Sequence, residues 1–306
     1  MIADTEAARL GYVVRHDTGE VLRIRRGERG ALLLPLTRGL TFGAFPGAGL
    51  VFAEGRLAAF LRGIASHELL PATELPAGCA SVHDSFGVFG FDLPEAGVIR
   101  RLDLAGELLF RRAADGLAFL RAVASLDVPG TKRDAWITGT RVETVYLRTP
   151  RRGEVRLRIY DKGVETGDDE PGRRVRIERQ LRFHGRQQPP ADSLQGADLA
   201  RLYHGRLAVW ANATRDVVVT DLMGAQRTVV ERIAEGSITP RVAERVLGTL
   251  AILDHFGPSW WEKPHTAQRR LRELRELGVV LDLDRDPGEP LPVGRLITAL
   301  RDSFVA

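Results

Sequence analysis

Glu154-Val155-Arg156-Leu157-Arg158-Ile159-Tyr160-Asp161-Lys162-Gly163-Val164-Glu165 is the stretch whose reading decides the fold. Extended backbone points successive side chains to opposite sides, so Leu157 and Ile159 fall on one face of a strand. Arg156, Arg158, Tyr160 and Lys162 fall on the other. Nearby cations favour an ionised phenol, which predicts a Tyr160 pKa below the unperturbed value of about 10. The same cations suit a polyanion such as a phosphate backbone.

Two more stretches alternate in the same way. In Val175 to Leu181 the apolar Val175, Ile177 and Leu181 share a face with Arg179, while Arg176, Glu178, Gln180 and Arg182 take the other. In Arg101 to Ala105, Leu102 and Leu104 oppose Arg101 and Asp103. If the three are strands of one antiparallel sheet, Tyr160, Asp103 and Glu178 converge on one polar face. Two carboxylates on neighbouring strands suit a hard divalent cation, Mg²⁺ or Mn²⁺, which prefers oxygen ligands and keeps several waters. Such a cation would polarise a phosphate and offset charge on its leaving oxygen.

Composition bounds the answer. At 306 residues the chain exceeds the size at which single cores usually stop growing, which predicts two domains. With 44% hydrophobic and 27% charged residues it has the make-up of a globular protein. The net charge of +4 is modest, but arginines cluster: Arg148, Arg151, Arg152, Arg156 and Arg158, then Arg173, Arg174, Arg176, Arg179, Arg182 and Arg186. Clustered cations suit nucleic acid; plain solvated surface is the competing explanation. Cys79 is the single cysteine, which excludes an internal disulfide and a cysteine-based zinc site. No stretch is apolar enough for a membrane span and the start lacks a signal peptide's pattern, so a cytoplasmic protein is expected.

The hydrophobic pattern also sets the organisation. Short apolar runs between turn signals from Leu10 to Val51 predict a strand meander, Arg56 to Ile64 a helix, and the aromatic run Ser85 to Leu93 a strand and turn. The Arg101 strand precedes a helix over Ala113 to Ala124, and a hairpin about Thr149 to Gly153 leads into the Tyr160 strand. Strand, helix, strand, strand is the order of an antiparallel sheet with helices on one side. A first domain over 1–186 is predicted, with Gln187-Gln188-Pro189-Pro190 as linker. Residues 187–306 read as mainly helical: one helix from Thr239-Pro240 to about Phe256, another from Ala267 to Leu277, ending at Gly278. The fold class is therefore α+β. In the second helix Leu271, Leu274 and Leu277 face inward and Arg269, Arg270, Arg272 and Arg275 largely outward. With the following Val279 to Leu283, this half is either a winged helix that lays its basic helix on DNA or a helical cap whose arginines pair with Glu273 and Glu276.

The motifs RLDLA, ETVYLRTPRRGEVRLRIYDKGVE and RIERQL, in that order over roughly Phe86 to Arg182, resemble the replication initiation factors of rolling-circle plasmids and the gene II type replication proteins of filamentous phages. Members carry an R-[IL]-D-[LA] strand, a T-x-Y-x-G hairpin, an R-I-Y-x-K-x-x-E strand and an R-x-E strand. Arg158, Ile159, Tyr160, Lys162 and Glu165 stand at matching places, while Arg148 stands where the hairpin usually has glycine. The resemblance implies that Tyr160 nicks one strand at an origin and stays joined to the 5′ phosphate. A free 3′ hydroxyl is then left for the polymerase, and the nick is resealed at termination. On this reading Asp103 and Glu178 hold the metal, Arg158 and Lys162 hold the phosphate, and Arg156, Arg176, Arg269, Arg270 and Arg272 contact DNA. The expected partners are origin DNA, single-stranded and duplex, with host helicase and polymerase and a second copy of the chain as further candidates. A non-catalytic, sequence-specific DNA-binding regulator of a mobile element is the alternative. Tyr146 competes as nucleophile, Glu143 and Glu165 as metal ligands, and His83 and His184 as third ligands or proton carriers. Trp260 and Trp261 are candidates for stacking on unpaired bases or for a core-anchored hinge.

Overall fold

A computed structural model describes residues 12–303 apart from 15–20, 24, 28–30, 35–38, 46–47, 64–67, 94–96, 129, 140, 149–154, 168–169, 258–259, 261–263, 284 and 286–288. The chain is α+β, with antiparallel sheets and several helices. It divides into two compact units. One comprises Met1–Leu102, Arg182–Ala200 and Val305–Ala306; the other comprises Asp103–Leu181 and Arg201–Phe304. No helix among the described residues is long and apolar enough to cross a membrane.

The first unit opens as the meander that the turn signals predict. Strands β1 (Tyr12–Val14) and β2 (Val21–Arg23) form a hairpin, and β3 (Arg25–Arg26), β4 (Leu32–Leu34), β5 (Leu40–Phe45) and β6 (Leu50–Gly55) pair consecutively and antiparallel. Helix α1 (Leu57–Arg62) follows, within the predicted Arg56 to Ile64. Helix α2 (Leu75–Gly87), with proline in its first turn, runs through Ser85 and Phe86, where the aromatic run suggested a strand. The reason is packing: Phe86, Phe89 and Phe91 bury with Phe42 of β5, the Phe42 and Phe86 rings meeting edge-on at 5.1 Å. Aromatic enrichment here marks a core anchor, since strand propensity largely measures such packing. Gln187 to Pro190 is no free linker. Pro189 O accepts from Ile99 N at 2.9 Å, Ala191 N donates to Gly97 O at 2.7 Å, and Pro190 bridges Val98.

In the second unit β7 (Arg101–Leu109) precedes α3 (Ala113–Ser125). Strands β8 (Lys132–Thr138), β9 (Arg141–Arg148) and β10 (Val155–Asp161) follow. Next come the short helix α4 (Lys162–Thr166) and β11 (Arg174–Arg182). The sheet order β7-β11-β10-β9-β8 makes the Tyr160 strand central. Leu104, Leu108, Val145, Leu147, Leu157, Ile159, Val175 and Ile177 fill one face. Helix α3 packs there on β9 and β10, burying Ala118, Phe119, Leu120, Ala122 and Val123. Helix α5 (Gly196–Ala213) shares that side: Trp210 meets the Phe119 ring at 6.5 Å, and Tyr203 donates from its hydroxyl to Ile177 O at 3.1 Å.

A three-stranded sheet completes the unit. Its central strand β12 (Val218–Thr220) precedes α6 (Leu222–Ala234), α7 (Pro240–Phe256) and α8 (Pro264–Glu276). Strands β13 (Val279–Leu281) and β14 (Leu291–Pro292) flank β12, parallel and antiparallel respectively, and α9 (Val293–Ser303) ends the unit. Helix α7 begins at the predicted Pro240 and ends before Gly257, although the Thr239 side chain makes no capping bond. Leu274 of α8 joins Ala225, Val229, Val246, Leu250 and Val279 in one core cluster, with Leu271 and Leu277 beside it.

One close approach fixes the site-bearing loop. A Cβ on Gly116 of α3 would lie 1.8 Å from the Gly172 carbonyl oxygen, and Gly172 itself sits at φ +88°. Asp161 accepts from Gly172 N at 2.7 Å and from Val164 N at 3.3 Å, so it caps α4 and holds the approach to β11 at once. Gly116→Ala must separate these backbones, and a loss of about 1–3 kcal/mol is expected from the midpoint of urea unfolding.

Candidate active site

The two strand pairings of β10 build the site. Arg158 lies opposite Glu178 and Tyr160 opposite Arg176 on β11; on β9, Arg158 lies opposite Tyr146 and Tyr160 opposite Thr144. Directly opposed residues share a face, so alternation along three strands concentrates these groups. Tyr160 is 3% exposed and donates its hydroxyl hydrogen to Glu178 Oε1 at 2.7 Å. The Arg158 guanidinium sits 4.2 Å from the Tyr160 ring centre, and its Nη1 is 3.7 Å from Glu178 Oε2. Lys162 Nζ lies 5.9 Å from the same ring centre. Because β10 ends at Asp161, Lys162 is carried by the first turn of α4 rather than by the strand. There it is buried and paired with Glu165.

Arg176 is anchored on its far side. Its Nε donates to Glu107 Oε1 at 2.7 Å, with a second bond from Nη2 to the same oxygen. Glu107 does not stand out in the sequence, although the alternation of Arg101 to Ala105 continues through Gly106 to Glu107. Backbone bonds from Phe110 N to Arg173 O and from Phe183 N to Arg100 O bracket an antiparallel β7/β11 register. That register sets Glu107 against Arg176 and Asp103 against Gln180. Asp103 is exposed and diagonal to Glu178 on the same face, a Cα separation of about 7–8 Å.

The charge environment reverses one expectation. Burial pushes the Tyr160 phenol well above its ordinary range, and the charge and hydrogen bond of Glu178 push the same way, while Arg176 opposes them. The cations predicted from the strand pattern are present, but carboxylates are interleaved with them. Glu165 is held below the usual carboxylate range: burial would raise it, and the bond and charge of Lys162 outweigh that.

The remaining predicted residues lie elsewhere or are otherwise engaged. The side chain of Arg156 lies outside the described residues, as do Trp261 and the hairpin turn before β10. Tyr146 is half-buried, with Arg148 over its ring at 5.1 Å. Glu143 pairs with Arg141 at 2.9 Å. His83 Nε2 is 3.2 Å from Leu93 O, in the first unit. On α8, Arg269 is exposed, Arg270 meets Glu273 at 3.4 Å and Arg272 meets Glu276 at 3.6 Å. Trp260 is stacked on Phe256 at 4.1 Å and half exposed.

Among the described residues no three His, Cys, Asp or Glu side chains are grouped as a metal cage. Asp103 and Glu178 nevertheless present two carboxylates on one face of adjacent strands, a donor set that a water-rich Mg²⁺ or Mn²⁺ accepts. The phenol thus has a carboxylate acceptor within hydrogen-bond reach and cations around it that suit an anionic partner. The chain matches no protein-family model, no curated protein and no solved structure.

The raised Tyr160 pKa has a thermodynamic consequence. The folded chain keeps a proton that the unfolded chain releases near pH 10, so stability falls as pH rises past that point. Tyr160→Phe should flatten this part of the stability curve and remove one late-ionising phenol from the alkaline difference spectrum. Tyr203, also pushed up by burial, accounts for another.

Proposed function

We propose that the protein is a rolling-circle replication initiator that nicks one strand at an origin through a covalent 5′-phosphotyrosine link. The hydrogen bond from Tyr160 to Glu178 carries this reading, because it joins a nucleophile to a proton acceptor inside a cationic face. The Tyr160 oxygen attacks phosphorus as its proton passes to Glu178, the O3′–P bond breaks with its electron pair going to O3′, and O3′ takes a proton from solvent water to give the free 3′ hydroxyl. Arg158, over the phenol ring, and Lys162 bind the phosphate, while Arg176, braced by Glu107, faces the charge that develops on the attacking oxygen. A divalent cation held by Asp103 and Glu178 would supply Lewis-acid polarisation of the scissile phosphate. Because the tyrosyl phosphate retains the energy of the broken ester, reversal reseals the strand. On this proposal the sheet carries the chemistry, and the helical half is either a winged helix that contacts duplex origin DNA or a cap whose arginines pair with its own carboxylates. Host helicase and polymerase would then act on the opened strand.

The second reading is a DNA-binding regulator that does not cleave, and the burial and held proton of Tyr160 favour it. A single-stranded origin oligonucleotide separates the two. Wild-type protein should form an adduct that survives denaturation, and Tyr160→Phe should abolish it with DNA affinity within about twofold, since one oxygen and no charge is lost. Persistence of the adduct in Tyr160→Phe would move the nucleophile to Tyr146; no adduct from wild type would favour the regulator.

The helical half has its own test. Replacing Arg269 and Arg272 by glutamine should reduce the slope of log affinity against log salt on duplex origin DNA by about 2, since two phosphate contacts and their released counterions are lost. Cleavage of a preformed single strand should be nearly unchanged. An unaltered slope would confine DNA binding to the sheet.

A further inference from the structure

The pairing registers align one residue from each of four strands into a row across the sheet. Trp136 on β8 opposes Thr144 on β9, Thr144 opposes Tyr160 on β10, and Tyr160 opposes Arg176 on β11. Opposed residues share a face, so the Trp136 indole stands on the Tyr160 face two strands away, about 10 Å by the interstrand spacing. Yet Tyr160 is buried and Trp136 is 65% exposed. An indole left this open on a sheet edge is unusual, because large aromatic side chains normally bury most of their surface. The β8/β9 register shifts immediately after Trp136, an irregularity of the kind that re-aims a side chain at a sheet edge.

We infer that Trp136 is a base-stacking platform for an unpaired nucleotide beside the phosphate held at Tyr160. This rests on the nicking reading and specifies its substrate as a strand whose bases are splayed from a duplex. Charge complementarity selects a polyanion as occupant: Lys132 and Arg148 oppose each other on this same face, Arg148 being held by Asp134 at 2.7 Å in a surface pair that a phosphate can displace, and Arg158 lies opposite Tyr146 on the next strand. Aromatic faces interleaved with cations along a sheet bind single strands without needing a particular sequence, since every base offers a π-face. In duplex DNA the bases are paired and stacked on one another, so the indole discriminates against it.

The test is fluorescence anisotropy of the full chain with a labelled oligodeoxythymidylate and with a duplex of equal length. One lost base stack predicts that Trp136→Ala binds the single strand about tenfold more weakly, with Trp136→Phe within about threefold of wild type and duplex affinity unchanged within about twofold. Unchanged single-strand affinity in Trp136→Ala, or an equal loss on duplex, overturns the inference. So does a wild-type dimer in sedimentation that Trp136→Ala dissociates, which would give the β8 edge to a second copy. Adduct formation is scored separately on the origin oligonucleotide. A stacking loss without any wild-type adduct refutes the tyrosine chemistry alone, and an adduct with unchanged Trp136→Ala binding refutes the platform alone.

Discussion

A phenol hydroxyl bonded to a carboxylate in a buried place is tolerable only if the surrounding charges balance, and that balance governs the polar face of the central sheet. Glu178 accepts from Tyr160 while Arg158 approaches its second oxygen; Arg176 is claimed by Glu107, and Lys162 by Glu165. Removing Glu107 would strand the buried Arg176 charge, a change that typically costs about 3–5 kcal/mol. The register of β10 against β11 is correspondingly well determined, because a slip of β10 by one residue would carry Arg158 and Tyr160 into the apolar layer under α3 and Leu157 and Ile159 onto the polar face. The side chains that the nicking proposal relies on are therefore also those that specify the fold.

How much of this the sequence discloses depends on the range of the interaction. Period-two alternation is local, so the central strand, its β11 partner and the face shared by Tyr160 and Glu178 are legible. Helix α7 is legible too, because Pro240 and Gly257 punctuate it. Burial is not local. The strand pattern shows cations around Tyr160 but not that Glu178 and Glu165 come between them, and so the direction of the phenol's pKa is misjudged. Glu107 lies just past Gly106, where a glycine suggests the end of a strand. The structure needs glycine there for another reason: a Cβ would come within 2.8 Å of both the Tyr203 hydroxyl and a Leu300 methyl group. Strand β8 escapes notice because its residues are mostly exposed and offer no buried alternation.

The helical part of the second unit is tied to the sheet's own helix through buried charge. Arg285, 5% exposed, donates to Asp115 of α3 at 3.1 Å and to the carbonyls of Glu289 and Val219. Asp282, equally buried, receives Arg121 of α3 at 2.6 Å. Asp282 and Arg285, after β13, thus supply one anion and one cation to a single helix. Such pairs specify one docking geometry more than they add stability, since replacing them by well-packed apolar groups is often neutral.

Two populations of arginine follow from these environments, and they differ in what they can do for a nucleic acid. Arg176 and Arg285 are buried, and their partners cannot be exchanged for a phosphate without stranding a carboxylate. Arg272 and Arg148 pair at or near the surface, with Glu276 at 3.6 Å and Asp134 at 2.7 Å. Exposed pairs contribute only about 0–1 kcal/mol, so a phosphate can displace the acid at little loss. Cations able to track a DNA backbone are therefore those at the rim of the sheet and on the outer face of α8. The buried groups instead supply a fixed electrostatic field around one phenol oxygen, and on the nicking proposal such a field would need no reorganisation when charge develops there.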